Sequence, residues 1–388
     1  MSLTFDSARI PNPHLTEDHL AWRDALRRFV DKEIMPYAED WDEAGHIPIA
    51  LWPKAAEVGL LGAGYPEQYG GMETDSWHSW IINEELSRVG VGGLSASLMV
   101  HGIGLPPVIN WGTEAMKAEI APPVLRGESW ISLGITEPGG GSDVASLLTT
   151  AVRVGAHYIV NGSKTYITGG MRANYVSTAV RTGGDGATGV SMLLIPTDAE
   201  GFSRTALDKK MGWWASDTAT LYFDNVRVPV SNLIGQENQG FRVIMTNFNS
   251  ERMGMAAAME AYGRVCLEEA VNWARERQTF GKRLADHQVI RHKIAMMKQK
   301  LNATQAYIRI CYEAIEAGEA NAGDIALLKV QASEVMEFCA REAMQILGGV
   351  GYMRGNRVER IYREVRVNAI GGGSEEIMRD LASRQYGL

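Results

Sequence analysis

The chain has little cysteine: Cys266, Cys311 and Cys339 are the three in 388 residues, an odd number at wide spacing. They supply neither a disulfide framework nor a paired zinc-ligand spacing, so buried reduced thiols are expected. Proline is sparse at 13, and no low-complexity tract interrupts the chain, which excludes fibrous and disordered classes. Positive charge is in deficit, with 38 Lys+Arg against 46 Asp+Glu and a formal net charge of -8. No broad positive field faces a phosphate backbone, so no nucleic-acid partner is expected. No apolar run reaches the roughly 18 residues of a bilayer span, so no membrane partner is expected either. Met1-Ser2-Leu3-Thr4-Phe5-Asp6 lacks the basic start and apolar core of a secretory leader. A cytoplasmic location of bacterial type is the expectation; a mature mitochondrial-matrix protein would share these features.

What is abundant is apolar. Hydrophobic residues make up 45% and charged residues 22% of a chain too long for one ordinary core, so two or three packed units are expected. Thr16 followed by Glu17 and Asp18 is an N-cap signal, and Trp22, Leu26, Phe29 and Ile34 recur on one helical face. Helical character persists, and residues 1–125 are expected to form an N-terminal α-helical domain. Over 126–234 the period changes to short β-branched runs at Ala151 to Val160, Tyr175 to Arg181, Val190 to Ile195 and Ala219 to Val228. These predict a middle β domain. Asn161-Gly162 predicts a hairpin turn that puts Tyr166 and Thr168 on its return strand. Over 235–388 helices resume. Ile290, Ile294, Met297, Leu301, Thr304, Ile308, Cys311 and Ile315 alternate steps of four and three, and Ile325 to Ile346 repeat the pattern, which predicts a helical bundle.

One segment invites chemistry: Ile135-Thr136-Glu137-Pro138-Gly139-Gly140-Gly141-Ser142-Asp143. Three glycines leave backbone amides unscreened, so an anionic or planar ligand can approach closely, and Thr136 and Ser142 add hydroxyls. Without a strand-then-lysine context it is neither a Walker loop nor a dinucleotide fingerprint, and by physics alone a tight turn is an equal reading.

Taken with Asn161-Gly162-Ser163-Lys164-Thr165-Tyr166-Ile167-Thr168, Arg277-Gln278-Thr279-Phe280-Gly281-Lys282 and Gln345-Ile346-Leu347-Gly348-Gly349-Val350-Gly351-Tyr352, the loop resembles the ordered signatures of the acyl-CoA dehydrogenase family. The resemblance covers essentially the whole chain. It implies an α+β fold, with an N-terminal α-helical domain, a middle β-barrel and a C-terminal four-helix bundle around FAD. It also implies that Leu133, Ile135, Thr136, Gly141, Ser142, Tyr166 and Thr168 line the flavin, with Tyr166 where a tryptophan is common. Arg277, Thr279, Phe280, Gln288, Gln345 and Gly349 are implied to reach the FAD of a neighbouring subunit, which makes the protein a homo-oligomer, a dimer of dimers. Ser374 and Glu376 are implied on the cofactor side, and Ser142, Phe248, Arg252, Gly371 and Gly372 on the substrate side.

The sequence departs from the commonest family pattern near its C-terminus. Where many members carry the catalytic glutamate in a Tyr-Glu-Gly-Thr run, this chain has Gly371-Gly372-Gly373-Ser374. Long-chain and isovaleryl-type members place that glutamate on the first helix of the C-terminal domain, just before an arginine, and Asn249-Ser250-Glu251-Arg252 matches them. Glu251 is therefore the expected base, because the α-hydrogen of a thioester is weakly acidic and needs a positioned carboxylate. Glu375 and Glu376 are its rivals, expected to serve the helix start instead. Asp143 is expected to tie down its own loop. The glycine run leaves volume for medium-to-long or branched acyl chains.

The resemblance thus implies an FAD-dependent acyl-CoA dehydrogenase of fatty-acid or branched-acyl catabolism, forming trans-2-enoyl-CoA and passing electrons to an electron-transferring flavoprotein. An oxygen-using oxidase or monooxygenase of the same fold, or an inactive acyl-CoA or flavin-binding scaffold, are the alternatives. The retained Glu251-Arg252 pair argues against the scaffold.

Overall fold

The computed structural model describes residues 3–388; Met1 and Ser2, part of the start that lacks leader features, lie outside the described residues. The chain divides into two compact units. One comprises the residues up to Glu39 with Asp75–Gly92 and Arg252–Leu388; the other comprises Asp40–Thr74 and Gly93–Glu251. The N-terminal helical segment therefore contributes to both.

The first unit is helical. Thr16 caps Glu17–Phe29 by accepting the His19 N–H, and the His19 ring accepts the Thr16 N–H in return. Leu26, Phe29 and Ile34 are buried as their spacing predicts, whereas Trp22 is half-buried. The bundle is built from Gly240–Glu276, from Arg252 onward, with Gln288–Glu316, Ala322–Leu347, Arg357–Ile370 and Glu375–Gln385. Its core joins Val265, Leu301, Ile308, Leu328, Val335 and Ala343 with all three cysteines, which are free and buried. Burial pushes the Cys266 thiol well up, so it stays protonated and unreactive. Gly263 lets two helices close, since a Cβ there would lie 2.7 Å from Leu301 Cδ2.

An ionic cluster unsuspected from the sequence sits inside this core. Arg264 is fully buried and bonds Glu260 (3.0 Å) and Glu84, while Arg9 and Arg23 reach Glu84 at 3.2 and 3.3 Å. Desolvation raises the Glu260 carboxyl to about 7 against the pull of Arg264.

The second unit is built on an eight-stranded sheet. Its strands are β1 (Ile131–Gly134), β2 (Thr150–Val154), β3 (His157–Thr168), β4 (Tyr175–Arg181), β5 (Val190–Pro196), β6 (Phe202–Ala206), β7 (Thr218–Pro229) and β8 (Leu233–Ile234). The order is β6-β7-β3-β2-β4-β5-β8, with β1 parallel to β4. β5 shows why its residues form a continuous apolar run: Met192 and Leu194 pack with Val108, Ile120 and Val124 of the covering helices, while Leu193 and Ile195 join Tyr158, Val160 and Leu221. His101 is buried in this unit with Nε2 3.0 Å from the Leu61 carbonyl, and desolvation lowers it to about 4. No single helix among the described residues is long and apolar enough to cross a membrane.

The Asn161-Gly162 hairpin does not form. β3 runs straight through both residues, and the turn lies at Gly155-Ala156, where Val154 pairs with His157. Gly162 is glycine for another reason: its φ is +143°, and a Cβ would lie 2.7 Å from Thr149 Cα. Tyr166 and Thr168 stay on β3, but as its far end rather than as a return strand.

Two measurements check this account. Gly155→Asn should change stability by less than about 1 kcal/mol, because asparagine tolerates left-handed φ and the site is open. Gly162→Ala should cost roughly 1–3 kcal/mol in urea unfolding, and the opposite ranking would return the turn to 161–162. For Glu260, the raised carboxyl contributes stability that is full below the unfolded value of 4.5 and lost as pH rises through about 7. Glu260→Gln should therefore gain stability relative to wild type as pH rises across that window; a pH-independent difference would contradict it.

Candidate functional site

In the β-rich unit, the sequence-predicted residues of two separate segments come together. Leu133 lies on β1, which leads into Ile135 and Thr136; the Thr165 N–H of β3 donates to the Thr136 carbonyl at 2.8 Å. Ser132 Oγ donates to the Thr168 carbonyl at 2.9 Å, which fixes the end of β3 beside β1. Beyond Thr136 the chain folds over itself through paired Glu137 and Gly140 backbone bonds of 3.1 Å. Gly139 and Gly140 have open space where a side chain would stand, and Gly141 and Ser142 are exposed.

Tyr166 has φ +59° and is 70% exposed, at a register shift between β3 and β7 that falls from Lys164 to Ile167. A bulky residue in that conformation costs on the order of 1–3 kcal/mol and persists only where its surroundings impose it. An exposed aromatic face, open backbone amides and the hydroxyls of Thr136 and Thr168 suit a planar heterocycle.

Asp143 does not tie down the loop as expected. Its side chain makes no capping hydrogen bond, and only its carbonyl accepts the Ser146 N–H at 3.2 Å. The tie is Glu137, whose carboxylate accepts the Leu148 and Thr149 N–H groups at 2.6 and 2.8 Å and pairs with Lys164 at 2.8 Å. Burial pushes the Glu137 carboxyl up, but Lys164 and these donors together hold it below its ordinary value. Both residues stand inside the quoted motifs and were assigned no role from the sequence.

In the helical unit, the glycine run 371–373 leaves the end of Arg357–Ile370, with φ of +66° and +106° at Gly372 and Gly373. Arg252 Nε donates to the Gly372 carbonyl at 3.1 Å, and fully buried Lys329 donates to the Ala369 and Gly373 carbonyls at 3.1 and 2.7 Å. Ser374 caps Glu375–Gln385 and Glu375 stands in its first turn, where an acid is expected; its carboxylate accepts from Ser333 Oγ of another helix at 2.7 Å. Glu376 is exposed, and backbone and Ser374 hydrogen bonds hold its carboxyl below its ordinary value, which suits it poorly to take a proton. In the β-rich unit, Glu251 is half-buried on Gly240–Glu276, immediately before Arg252, and Phe248 packs half-buried against the cluster that contains Val243 and Ile244.

A second group gathers where Gly240–Glu276 ends. Exposed Arg277 leads into a hairpin whose turn residues Phe280 and Gly281 have φ of +51° and +74°, and Phe280 is 96% exposed. Thr279 Oγ1 contacts His287 at 3.1 Å, just before Gln288 opens its helix. Gln345 and Gly349 are exposed at the end of Ala322–Leu347, and no hydrogen bond described links them to the hairpin. A strained, outward-facing phenylalanine beside a guanidinium with no ion pair among the described residues fits a phosphate-bearing aromatic ligand.

Family models described as the N-terminal, middle and C-terminal domains of acyl-CoA dehydrogenase match residues 16–128, 132–226 and 238–387. A solved structure described as a probable acyl-CoA dehydrogenase of Mycobacterium abscessus superposes with a TM-score of 0.94 at 44% identity, covering 96% of this chain and 99% of that one. An acyl-CoA dehydrogenase of Alternaria alternata is 38% identical over 97% of this chain and 93% of its own length. The long-chain specific mitochondrial enzyme of Rattus norvegicus is 34% identical over 95% and 86%. A flavin-dependent oxidoreductase is the class that fold and cradle define. The chain belongs to the acyl-CoA dehydrogenase family, which uses FAD.

Arg277→Ala tests the hairpin's role. It should weaken FAD binding by the roughly 1.5–3 kcal/mol of a charge-assisted hydrogen bond, read by titrating apo-protein with FAD, with the helical circular dichroism unchanged. Undiminished affinity would remove Arg277 from the cofactor site.

Proposed function

We propose that the protein oxidises the Cα–Cβ bond of a medium-to-long or branched acyl-CoA thioester to trans-2-enoyl-CoA, and that an electron-transferring flavoprotein takes the electrons onward. When bound, FAD supplies the acceptor for the hydride that leaves Cβ. The Glu251 carboxylate accepts the α-proton. Arg252, next in the helix, holds the Gly372 carbonyl and so fixes the backbone at the position where other members carry their base. Tyr166 offers its face to the flavin ring, and the 139–142 loop offers amides and the Ser142 hydroxyl. Electrostatic donors at the thioester oxygen stabilise the charge that develops as the α-proton leaves.

The observation that carries this reading is the bond from Arg252, which follows Glu251 on the long helix, to the Gly372 carbonyl of the side-chain-free run 371–373. Exposed Glu376 is held below its ordinary value by backbone and Ser374 hydrogen bonds, which suits it poorly to take a proton. The preference for larger acyl groups draws support from the missing side chains at 371 and 372, and from the relative named for long-chain substrates. An oligomer draws support from Phe280, Val350, Tyr352 and Met353, apolar residues exposed on the helical unit.

Anaerobic mixing with an acyl-CoA panel tests the dehydrogenation, and adding an electron-transferring flavoprotein to the bleached enzyme, which should restore the flavin absorbance, tests the acceptor. Flavin bleaching should be fastest with medium-to-long or branched substrates. Glu251→Gln should bind FAD normally yet lose reduction by about 10²–10⁴-fold, the range for a missing general base. Retained reduction in Glu251→Gln together with loss in Glu376→Gln would move the base to the C-terminal loop.

A further inference from the structure

We infer that Lys164 is a positioning residue for the cofactor, tying the glycine-rich loop after β1 to the strained end of β3 so that both present their flavin-facing groups together. The inference rests on the FAD reading of these two segments. Lys164 is fully buried, and its ammonium donates to the Ile135 carbonyl at 3.0 Å and to Glu137 at 2.8 Å. Ile135 precedes Thr136, and Glu137 holds the far side of the loop through the Leu148 and Thr149 amides. One amino group thus fixes the start of the loop directly and its return through Glu137. Tyr166 and Thr168 follow Lys164 by two and four residues on the same strand.

Gly134 lies beside the lysine stem, where a Cβ would make an ordinary 3.6 Å contact with Lys164 Cγ; the tight neighbour of that position is Val176 Cγ1 at 3.0 Å. The pair is an inefficient way to gain stability, because burying a charged pair costs about as much as the attraction returns. It is an effective way to fix geometry, since a loop with three adjacent glycines otherwise has many conformations to lose. The bulge that turns Tyr166 outward begins at Lys164, which anchors the strained backbone at its base. Glu137 is the one charged group acting on Lys164 among the described residues, and burial lowers the ammonium to about 8. Losing its proton leaves Glu137 charged and uncompensated, so the tie loosens as pH rises through that value.

The experiment titrates apo-protein with FAD from pH 6.5 to 9.5 and measures amide protection of Leu148 and Thr149 before FAD is added. Wild-type affinity should fall as pH rises through about 8. Lys164→Met should bind FAD at least about tenfold more weakly, with no inflection and lost protection of both amides. Glu137→Gln, which removes the charge and keeps one of the two acceptor oxygens, should move the inflection to lower pH and weaken the protection of at least one of the two amides, and decides the matter if Lys164→Met does not fold. A pH-independent wild-type affinity, or unchanged affinity and protection in the variants, overturns the inference. Wild-type protein that bound no FAD would overturn the cofactor site instead, and the protection of the apo-protein would still decide the tie.

Discussion

The Lys164 ammonium lies where two backbone segments meet, and the β-rich unit is arranged to let it lie there. Gly134 of β1 lies beside the stem, Glu137 turns inward to meet the ammonium, and Thr149 presses on Gly162. Beside that contact, the Thr165 to Thr136 bond, the Ser132 hydroxyl and Thr149 Oγ1, which donates to the Ser163 carbonyl at 3.2 Å, hold this region to β3. The outward, strained Tyr166 is thus a product of inward bonding directly beneath it. Strain at the surface and ion pairing in the interior are two ends of one arrangement.

The helical unit uses the same device at its own loop. Gly371 to Gly373 have no side chains to hold them, so buried cations on two other helices, Arg252 and Lys329, take the carbonyls at 369, 372 and 373. In both places a glycine-rich backbone lies beside residues proposed to face a ligand, and a lysine or arginine from regular structure holds it. Helices and strands keep such cations within narrow limits, which loops alone do not.

Much of the architecture was legible because it depends on periodicity. The alternating steps from Ile290 to Cys311 and from Ile325 to Ile346 mark faces that are largely buried, and the Thr16 cap forms as its neighbours suggest. The hairpin was misread because Asn-Gly is the stronger turn signal, whereas Gly155-Ala156 turns and Gly162 answers a close approach from Thr149. Lys164 could have been found: it continues the even-numbered alternation of Tyr158 and Val160 that points into the core. The cluster of Glu84, Glu260 and Arg264 could not, since it joins residues 180 apart in the chain through helix packing alone. The site residues were legible only through the family resemblance, because open glycine loops look alike in sequence whatever they bind.

The two units carry buried titratable groups displaced in opposite senses. Glu260 rises to about 7, so the helical unit takes up a proton as it folds in mildly acidic buffer. His101 falls to about 4, so the β-rich unit releases one. Stability held through His101 is complete above the unfolded value of 6.5 and is lost as pH drops toward 4, while that held through Glu260 follows the reverse course. Near pH 6 these two proton exchanges largely cancel each other. Mild acid therefore strengthens what Glu260 contributes to the helical unit and weakens what neutral His101 contributes to the β-rich unit.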